Sequence, residues 1–324
     1  MSVLIVEPLD GEVLQWLGAR HALRFAPELA RNRQAFRHAL ATVRAVITPP
    51  SVALDTETLR WAPHLRLIGR FSVGGENIDL QTCARIGVQV VRPSGASAAA
   101  EAEFVIAALL QMLRRVPVLS NEGLLAGREL GGSRVGIVGL TPTVSVLAPL
   151  LRAFGSNLLG YDPAVHATDP AWQQVGVEPA GLTELMRRSD AVCVLLGYYP
   201  RYVGLFGERL LAECRRDQVL VNLSHSSLFN PGALAQALTV GSLAAAWFDS
   251  VEPGLLDAGR PLRHVDALQI TPCVSGTTLQ SRTRSAWSVV RRIDELLRSM
   301  PESASFRQQR PAVPADLASG PAPA

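Results

Sequence analysis

The stretch RVGIVGLTPTVSVLAPLLRAFGSNLLGYDP, residues 134–163, decides how the chain is built. Arg134–Val138 is a short, almost wholly apolar run that reads as a buried strand. A turn at Gly139 leads into an apolar-periodic stretch that reads as a helix to Phe154, and Asn157–Tyr161 reads as a second strand. Strand, helix and strand joined by short connections form the unit that places two parallel strands side by side in a sheet covered by helices.

Working outward, the first hundred residues repeat this rhythm on a smaller scale. Strands are expected at Val3–Glu7, Ala22–Phe25, Ala45–Thr48, Leu65–Gly69 and Val88–Val91. Helices are expected at Glu12–Ala19 and Arg33–Val43, near Thr56–Trp61 and near Leu80–Ile86. Ala98–Arg115 differs: it is long, rich in alanine and leucine and ends in charge, as suits a helix spanning two domains. Beyond residue 163, strands are expected at Asp190–Leu196, Val219–Asn222, Ala244–Phe248 and Ala267–Ile270, with a helix at Leu228–Leu238. Ser281–Arg298 reads as an amphipathic helix returning to the first domain. The last segment, 301–324, rich in Pro, Ala and Ser and without periodicity, reads as a disordered tail. The domains are therefore 1–97 with 281–300, and 98–280.

Composition removes several function classes. A formal net charge of +3 without any basic block argues against nucleic acid and anionic membranes as partners. All 31 basic residues are Arg, so chemistry that needs a lysine, such as a Schiff base or a phosphate-loop lysine, is excluded. Cys83, Cys193, Cys214 and Cys273 lie far apart, which argues against a zinc site or a disulfide framework, and no metal is expected. The uncharged stretch Val135–Leu151 carries Thr141, Pro142, Thr143, Ser145 and Pro149 and falls short of the ~20 apolar residues of a membrane span. The N-terminus lacks the basic start of a signal peptide, and the expectation is a reduced, cytoplasmic protein.

A set of motifs runs in order along the chain: Ile68-Gly69-Arg70, Val73-Gly74, Asn77-Ile78-Asp79, Gly95 to Glu103, Gly136-Ile137-Val138-Gly139-Leu140, Gly160-Tyr161-Asp162-Pro163, Val221-Asn222, Asp249, Glu252 and Thr271-Pro272. In this order, from about Leu65 to Thr278, the chain resembles the D-2-hydroxyacid dehydrogenases, the family that includes D-3-phosphoglycerate and formate dehydrogenases. The resemblance implies two doubly wound parallel-sheet domains, a flavodoxin-like substrate domain and a Rossmann-type cofactor domain, with the site in the cleft between them. It implies a substrate loop in which Arg70, Val73 and Gly74 meet a small acid, and a homodimer joined through the cofactor domain around Ala98–Arg128.

The chain departs from that pattern where chemistry is expected. A dinucleotide loop carries G-x-G-x-x-G, with the second glycine admitting the pyrophosphate and the third admitting the helix. Here the frame is Gly139-Leu140-Thr141-Pro142-Thr143-Val144, so only the first glycine remains, and Pro142 lacks an N–H. Two readings stay open: Thr141 and Thr143 offer hydroxyls to a bound dinucleotide, or the segment is only a strand–turn–helix and binds none. Asp162 suits an adenosine ribose and prefers NAD to NADP, and Asp249 lies in register with the cofactor side.

In the family an Arg holds the substrate carboxylate, a His exchanges the proton and a Glu orients that His. In this sequence the Arg position holds His225, the Glu is Glu252, and the His position after Thr271-Pro272 holds Cys273. A histidine copies the arginine fork only when protonated, and a thiol, whose ordinary pKa is about 8.5, is a different acid from imidazole. Three outcomes stay open: an oxidoreductase in which His225 and Glu252 share the proton work, a Cys273–His225 nucleophile, and a pseudoenzyme kept as a binding or regulatory module. Gly197 replaces a loop proline, and Tyr198-Tyr199 add two aromatics on the side expected for nicotinamide.

Overall fold

The computed structural model describes residues 2–71, 77–115, 118–119, 125–250, 252 and 254–300. Val73, Gly74 and the segment 301–324 lie outside the described residues, as does part of the expected dimer segment. The chain divides into two compact units, one running to Ala96 and resuming at Arg282, the other spanning Ser97–Ser281.

The first unit contains β1 (Val3–Ile5), α1 (Gly11–Gly18), β2 (Leu23–Phe25), α2 (Arg33–Leu40), β3 (Ala45–Ile47), α3 (Thr56–Arg60), β4 (Leu67–Gly69), α4 (Leu80–Arg85) and β5 (Gln89–Val91). Its five strands lie in the order β2-β1-β3-β4-β5, and every neighbouring pair is parallel. Successive strand residues face opposite ways, so Leu4, Val46 and Ile68 enter one apolar core while Val3, Ile5, Ala45, Ile47 and Leu67 enter the other. A C-terminal helix closes the second core with Ala286, Val289, Val290, Ile293 and Leu297, an i, i+3, i+4, i+7 face. Gly69 is needed there: a Cβ at this position would sit 2.7 Å from Ile293 Cδ1 and 2.9 Å from Ile47 Cγ1.

The second unit opens with α5 (Ala98–Arg115) and a short antiparallel ribbon, β6 (Val118–Leu119) with β7 (Leu125–Ala126). It continues through β8 (Arg134–Val138), α6 (Pro142–Ala153), β9 (Asn157–Tyr161), α7 (Pro170–Val175), β10 (Glu178–Pro179), α8 (Leu182–Arg188), β11 (Ala191–Val194) and α9 (Glu208–Leu211). The remaining elements are β12 (Val219–Asn222), α10 (Pro231–Val240), β13 (Ala245–Phe248), β14 (Leu268–Ile270) and α11 (Leu279–Ser299), the helix already met in the first unit. The sheet order is β10-β9-β8-β11-β12-β13-β14, parallel throughout. The chain moves outward from β8 to β9 and β10, then crosses to β11 on the other side, and this reversal puts a crevice at the carboxyl ends of β8 and β11.

Both sheets are doubly wound and parallel, as the strand–helix alternation implies. Strand positions agree to within a residue or two, because fully buried apolar runs such as β11 and β12 have no other stable use. Two helices differ. The helix expected at Leu228–Leu238 begins at Pro231, because Asn230 caps it by accepting the Ala233 N–H at 3.0 Å, and Ser226–Leu228 forms a separate 3₁₀ turn. The helix expected to reach Val43 ends at Leu40, where Val43 turns into the core. The pairs α7–β10 and α8, unread in the sequence, are too short to show a period.

Candidate functional site

At the crevice edge of the second unit, β8 ends in Gly139 with φ +105°. A side chain there would meet the Leu196 backbone nitrogen at 2.6 Å, so glycine is required both by the turn and by the packing. Thr141 follows as the extended N-cap residue of α6, yet its hydroxyl caps nothing, and Thr141 Oγ1 is buried without a hydrogen-bond partner. Pro142 occupies the first helical turn, where its missing N–H costs least. Val144, at the third glycine position, is fully buried and packs with Leu147, Ala148 and Leu151 in the core between α6 and the sheet. Thr143 Oγ1 donates to Glu101 Oε2 on α5, so its hydroxyl is committed within the unit.

Asp162, at the end of β9, accepts the Leu140 N–H on Oδ2 and the Ala164 N–H on Oδ1, each at 2.8 Å. The carboxylate thus sets the shape of the Gly139 turn while retaining lone pairs for a diol. A positive-φ glycine turn, an orphaned hydroxyl at a helix N-terminus and a strand-end carboxylate fit the pyrophosphate and ribose of a dinucleotide.

The catalytic candidates lie past the carboxyl ends of β12, β13 and β14. The buried Asn222 closes the turn after β12: its Nδ2 donates to the Ser224 carbonyl at 2.8 Å and its Oδ1 accepts the Ser224 N–H at 3.1 Å. His225 follows, with Nδ1 accepting from the Ser227 N–H at 3.2 Å and lying 2.8 Å from Ser227 Oγ. Glu252 Oε1 accepts the Ser226 N–H at 3.0 Å and stands 3.4 Å from His225 Nδ1. Glu252 Oε2 is buried with no hydrogen bond. The Tyr198 ring, on the loop after β11, lies over the imidazole with centroids 4.5 Å apart and planes tilted by 36°.

Cys273 belongs to a different turn. Asp249 Oδ1 accepts from Thr271 Oγ1 at 2.7 Å and from the Val274 N–H at 2.8 Å, and Oδ2 accepts the Ser275 N–H at 2.7 Å. Within that turn Cys273 is exposed and has φ +51°, the one positive φ at a non-glycine among the described residues. The structure thus brings His225 and Glu252 together, sets Cys273 on the turn pinned by Asp249, and gives Asp249 a holding role.

In the first unit Arg70 is only 1% exposed. Its Nη1 donates to Asn77 Oδ1, and Asn77 Nδ2 donates to the Val52 carbonyl, so the guanidinium pins the strand ends from inside. Close by, Glu7 follows β1 and is 9% exposed, with Oε2 buried and without a hydrogen bond. Burial pushes its carboxyl up to about 7, against the charges of Arg70 and Arg282 and the Phe71 N–H. Sequence reasoning passed over Glu7, whose one signal is an acid directly after a buried strand. It also passed over Ser226 and Ser227, visible only as the two serines that follow His225.

The family model for the NAD-binding domain of D-isomer specific 2-hydroxyacid dehydrogenases matches residues 106–275. The chain is 30% identical over 298 residues to the (S)-sulfolactate dehydrogenase of Chromohalobacter salexigens, covering 89% of this chain and 96% of that protein. It is 25% identical over 309 residues to the D-3-phosphoglycerate dehydrogenase of Archaeoglobus fulgidus, covering 93% of this chain and 58% of that one, so it spans little more than half of that relative's length. The solved D-lactate dehydrogenase of Aquifex aeolicus, complexed with NAD and lactic acid, superposes with a TM-score of 0.71 at 21% identity, over 92% of this chain and 96% of that one. No helix among the described residues is long and apolar enough to cross a membrane. By its matched domain, its full-length relative and its two parallel sheets, the chain belongs to the D-isomer-specific 2-hydroxyacid dehydrogenase family.

Proposed function

We propose that this protein is an NAD-linked oxidoreductase interconverting a small 2-oxo acid and its 2-hydroxy acid, with the proton work moved to His225. The observation that carries this reading is the 3.4 Å approach of Glu252 Oε1 to His225 Nδ1. The residue standing where the family has its carboxylate-binding Arg is thereby paired with the acid that orients a proton-carrying His. When bound, NADH supplies a hydride to C2 of the oxo acid. His225 gives a proton to the oxygen as the C=O π bond opens, and Glu252 stabilises the imidazolium that precedes this transfer. Gly139, the Thr141 hydroxyl and Asp162 hold the dinucleotide, with NAD preferred to NADP because Asp162 would repel a 2′-phosphate. By the family resemblance, the carboxylate of the acid is assigned to the segment of Arg70, Val73 and Gly74. Asp249 and Cys273 shape the neighbouring turn. The same reading has a cytoplasmic homodimer joined through the second unit, with no nucleic-acid, membrane or metal partner.

A second reading, a pseudoenzyme that keeps the fold as a regulatory or partner module and binds no dinucleotide, draws on Pro142 and the fully buried Val144 in the phosphate loop. Titration of the protein with NADH and with NADPH, followed by tryptophan fluorescence or calorimetry, separates the two. Binding at micromolar NADH, tighter than NADPH, with NADH oxidation on a panel of 2-oxo acids, is the expected result. No binding of either nucleotide up to millimolar concentration refutes the oxidoreductase reading.

A further inference from the structure

The first sheet has a reversal of its own. From β1 the chain steps out to β2 and then returns past β1 to β3, so the loops leaving β1 and β3 part and open a crevice at their carboxyl ends. The parallel ladder runs one residue beyond the strands: the Val6 N–H donates to the Ile47 carbonyl at 2.9 Å, the Thr48 N–H to the Gly69 carbonyl at 3.2 Å and the Arg70 N–H to the Val91 carbonyl at 3.0 Å. Glu7, Thr48 and Arg70 therefore stand along one edge. Phe71, next to Arg70, donates its N–H to the Glu7 carboxyl, so that side chain reaches across the end of β3, where Thr48 stands. Two oxygens at this edge, Glu7 Oε2 and Thr48 Oγ1, are buried without a hydrogen-bond partner. Unpaired buried polar atoms are costly, and two of them at a switch point mark the place of an incoming polar group. The charged groups facing Glu7 are Arg70 from the end of β4 and Arg282 from α11, while Asp10, further along the loop after β1, accepts from Thr283 Oγ1 at 3.4 Å. Burial keeps the Glu7 carboxyl in its acid form up to about 7. An acid O–H and a hydroxyl beside two guanidinium charges make a donor-rich edge, which suits a negatively charged oxygen.

We propose that the β1/β3 edge of the first unit is an oxyanion subsite, in which the Glu7 O–H and the Thr48 hydroxyl donate to one acid group of a small ligand while Arg282 faces it from α11. The subsite goes beyond hydride transfer and needs neither a dinucleotide nor His225. An anion held there requires the proton on Glu7. Affinity is therefore steady below pH 7 and falls as pH rises through 7, where the unliganded carboxyl ionises. A site built from arginines alone keeps its affinity over that range, because their charge does not change.

The test uses the full chain labelled with ¹⁵N-phenylalanine, without nucleotide, titrated with sulfate and with acetate at pH 6 and pH 8. The Phe71 N–H touches Glu7, so its signal, assigned by its loss in Phe71→Leu, reads this edge directly. Both probes keep their charge over the range, so any pH dependence belongs to the protein. The expected result is a Phe71 shift that saturates with at least one of the two anions, with binding about tenfold weaker at pH 8 than at pH 6. Tighter sulfate assigns the subsite to a tetrahedral oxyanion, and tighter acetate to a carboxylate. Glu7→Gln keeps a donor but cannot ionise, and should bind equally well at both pH values. Thr48→Val loses the hydroxyl and should bind several-fold more weakly at both. Should either variant fail to fold, the wild-type titration decides alone. A Phe71 signal unmoved by both anions at tens of millimolar, or a wild-type affinity that is the same at pH 6 and pH 8, overturns the proposal.

Discussion

Replacing Glu7 by Gln should stabilise the first unit at pH 8 and change it little at pH 4. The carboxyl is 9% exposed at the end of β1, and burial raises it from 4.5 to about 7 in the folded chain. Below about pH 4.5 the group is protonated whether the chain is folded or unfolded, and its full stabilising share is present. As pH rises from there, the unfolded chain releases the proton while the folded chain keeps it, so stability falls until the folded group also ionises near pH 7. A displacement of this size corresponds to at most ~3 kcal/mol across the window, with the opposing charges of Arg70 and Arg282 already contained in it. Gln keeps the acceptor for the Phe71 N–H and removes the titration. The assay is urea denaturation of wild type and variant at pH 4, 5, 6, 7 and 8, followed by fluorescence, since Trp16, Trp61 and Trp287 all lie in the first unit. The Gln variant should gain on the wild type with rising pH and plateau above 7. A difference that is constant across the range, or that grows as pH falls, refutes the argument.

Other outcomes follow from the second unit. His225→Gln should lower kcat on a 2-oxo acid by about 10²–10⁴ with NADH affinity unchanged; equal turnover in the variant would exclude His225 as the proton carrier. Thr141→Ala removes a buried hydroxyl that has no partner, so it should raise thermal stability slightly, by about 0.5–1 kcal/mol, while weakening NADH several-fold; weaker folding with unchanged affinity contradicts the assigned role. Asp249→Ala strips three hydrogen bonds that tie residues 271–275 to the end of β13, and about 2–4 kcal/mol should be lost in denaturant titrations; a loss below about 0.5 kcal/mol would mean the turn holds without it.

The two parallel sheets were legible from the sequence because their signals are local. Runs such as Val135–Val138 and Val219–Val221 alternate with helical faces like Val144, Leu147, Ala148 and Leu151, and each period has few stable uses. Gly139 and Asp162 were legible for the same reason, one demanded by a positive φ and the other by its place at a strand end. The family resemblance sets His225 and Cys273 at the positions where the family carries its Arg and its His. Which of them Glu252 meets could not be read there, because Glu252 lies 27 residues from His225 and 21 from Cys273 in sequence, and only the turns after β12 and β13 bring its carboxylate to the histidine. The resemblance puts Arg70 in a substrate loop, and only the structure shows that it is 1% exposed and bonded to Asn77. Glu7 carries no motif at all, and its shifted acidity arises from how much protein surrounds it. Periodicity and turn chemistry are properties of neighbours along the chain, so sequence alone determines them. Burial, tautomer and the pairing of charges are properties of neighbours in space, and the tertiary structure decides those.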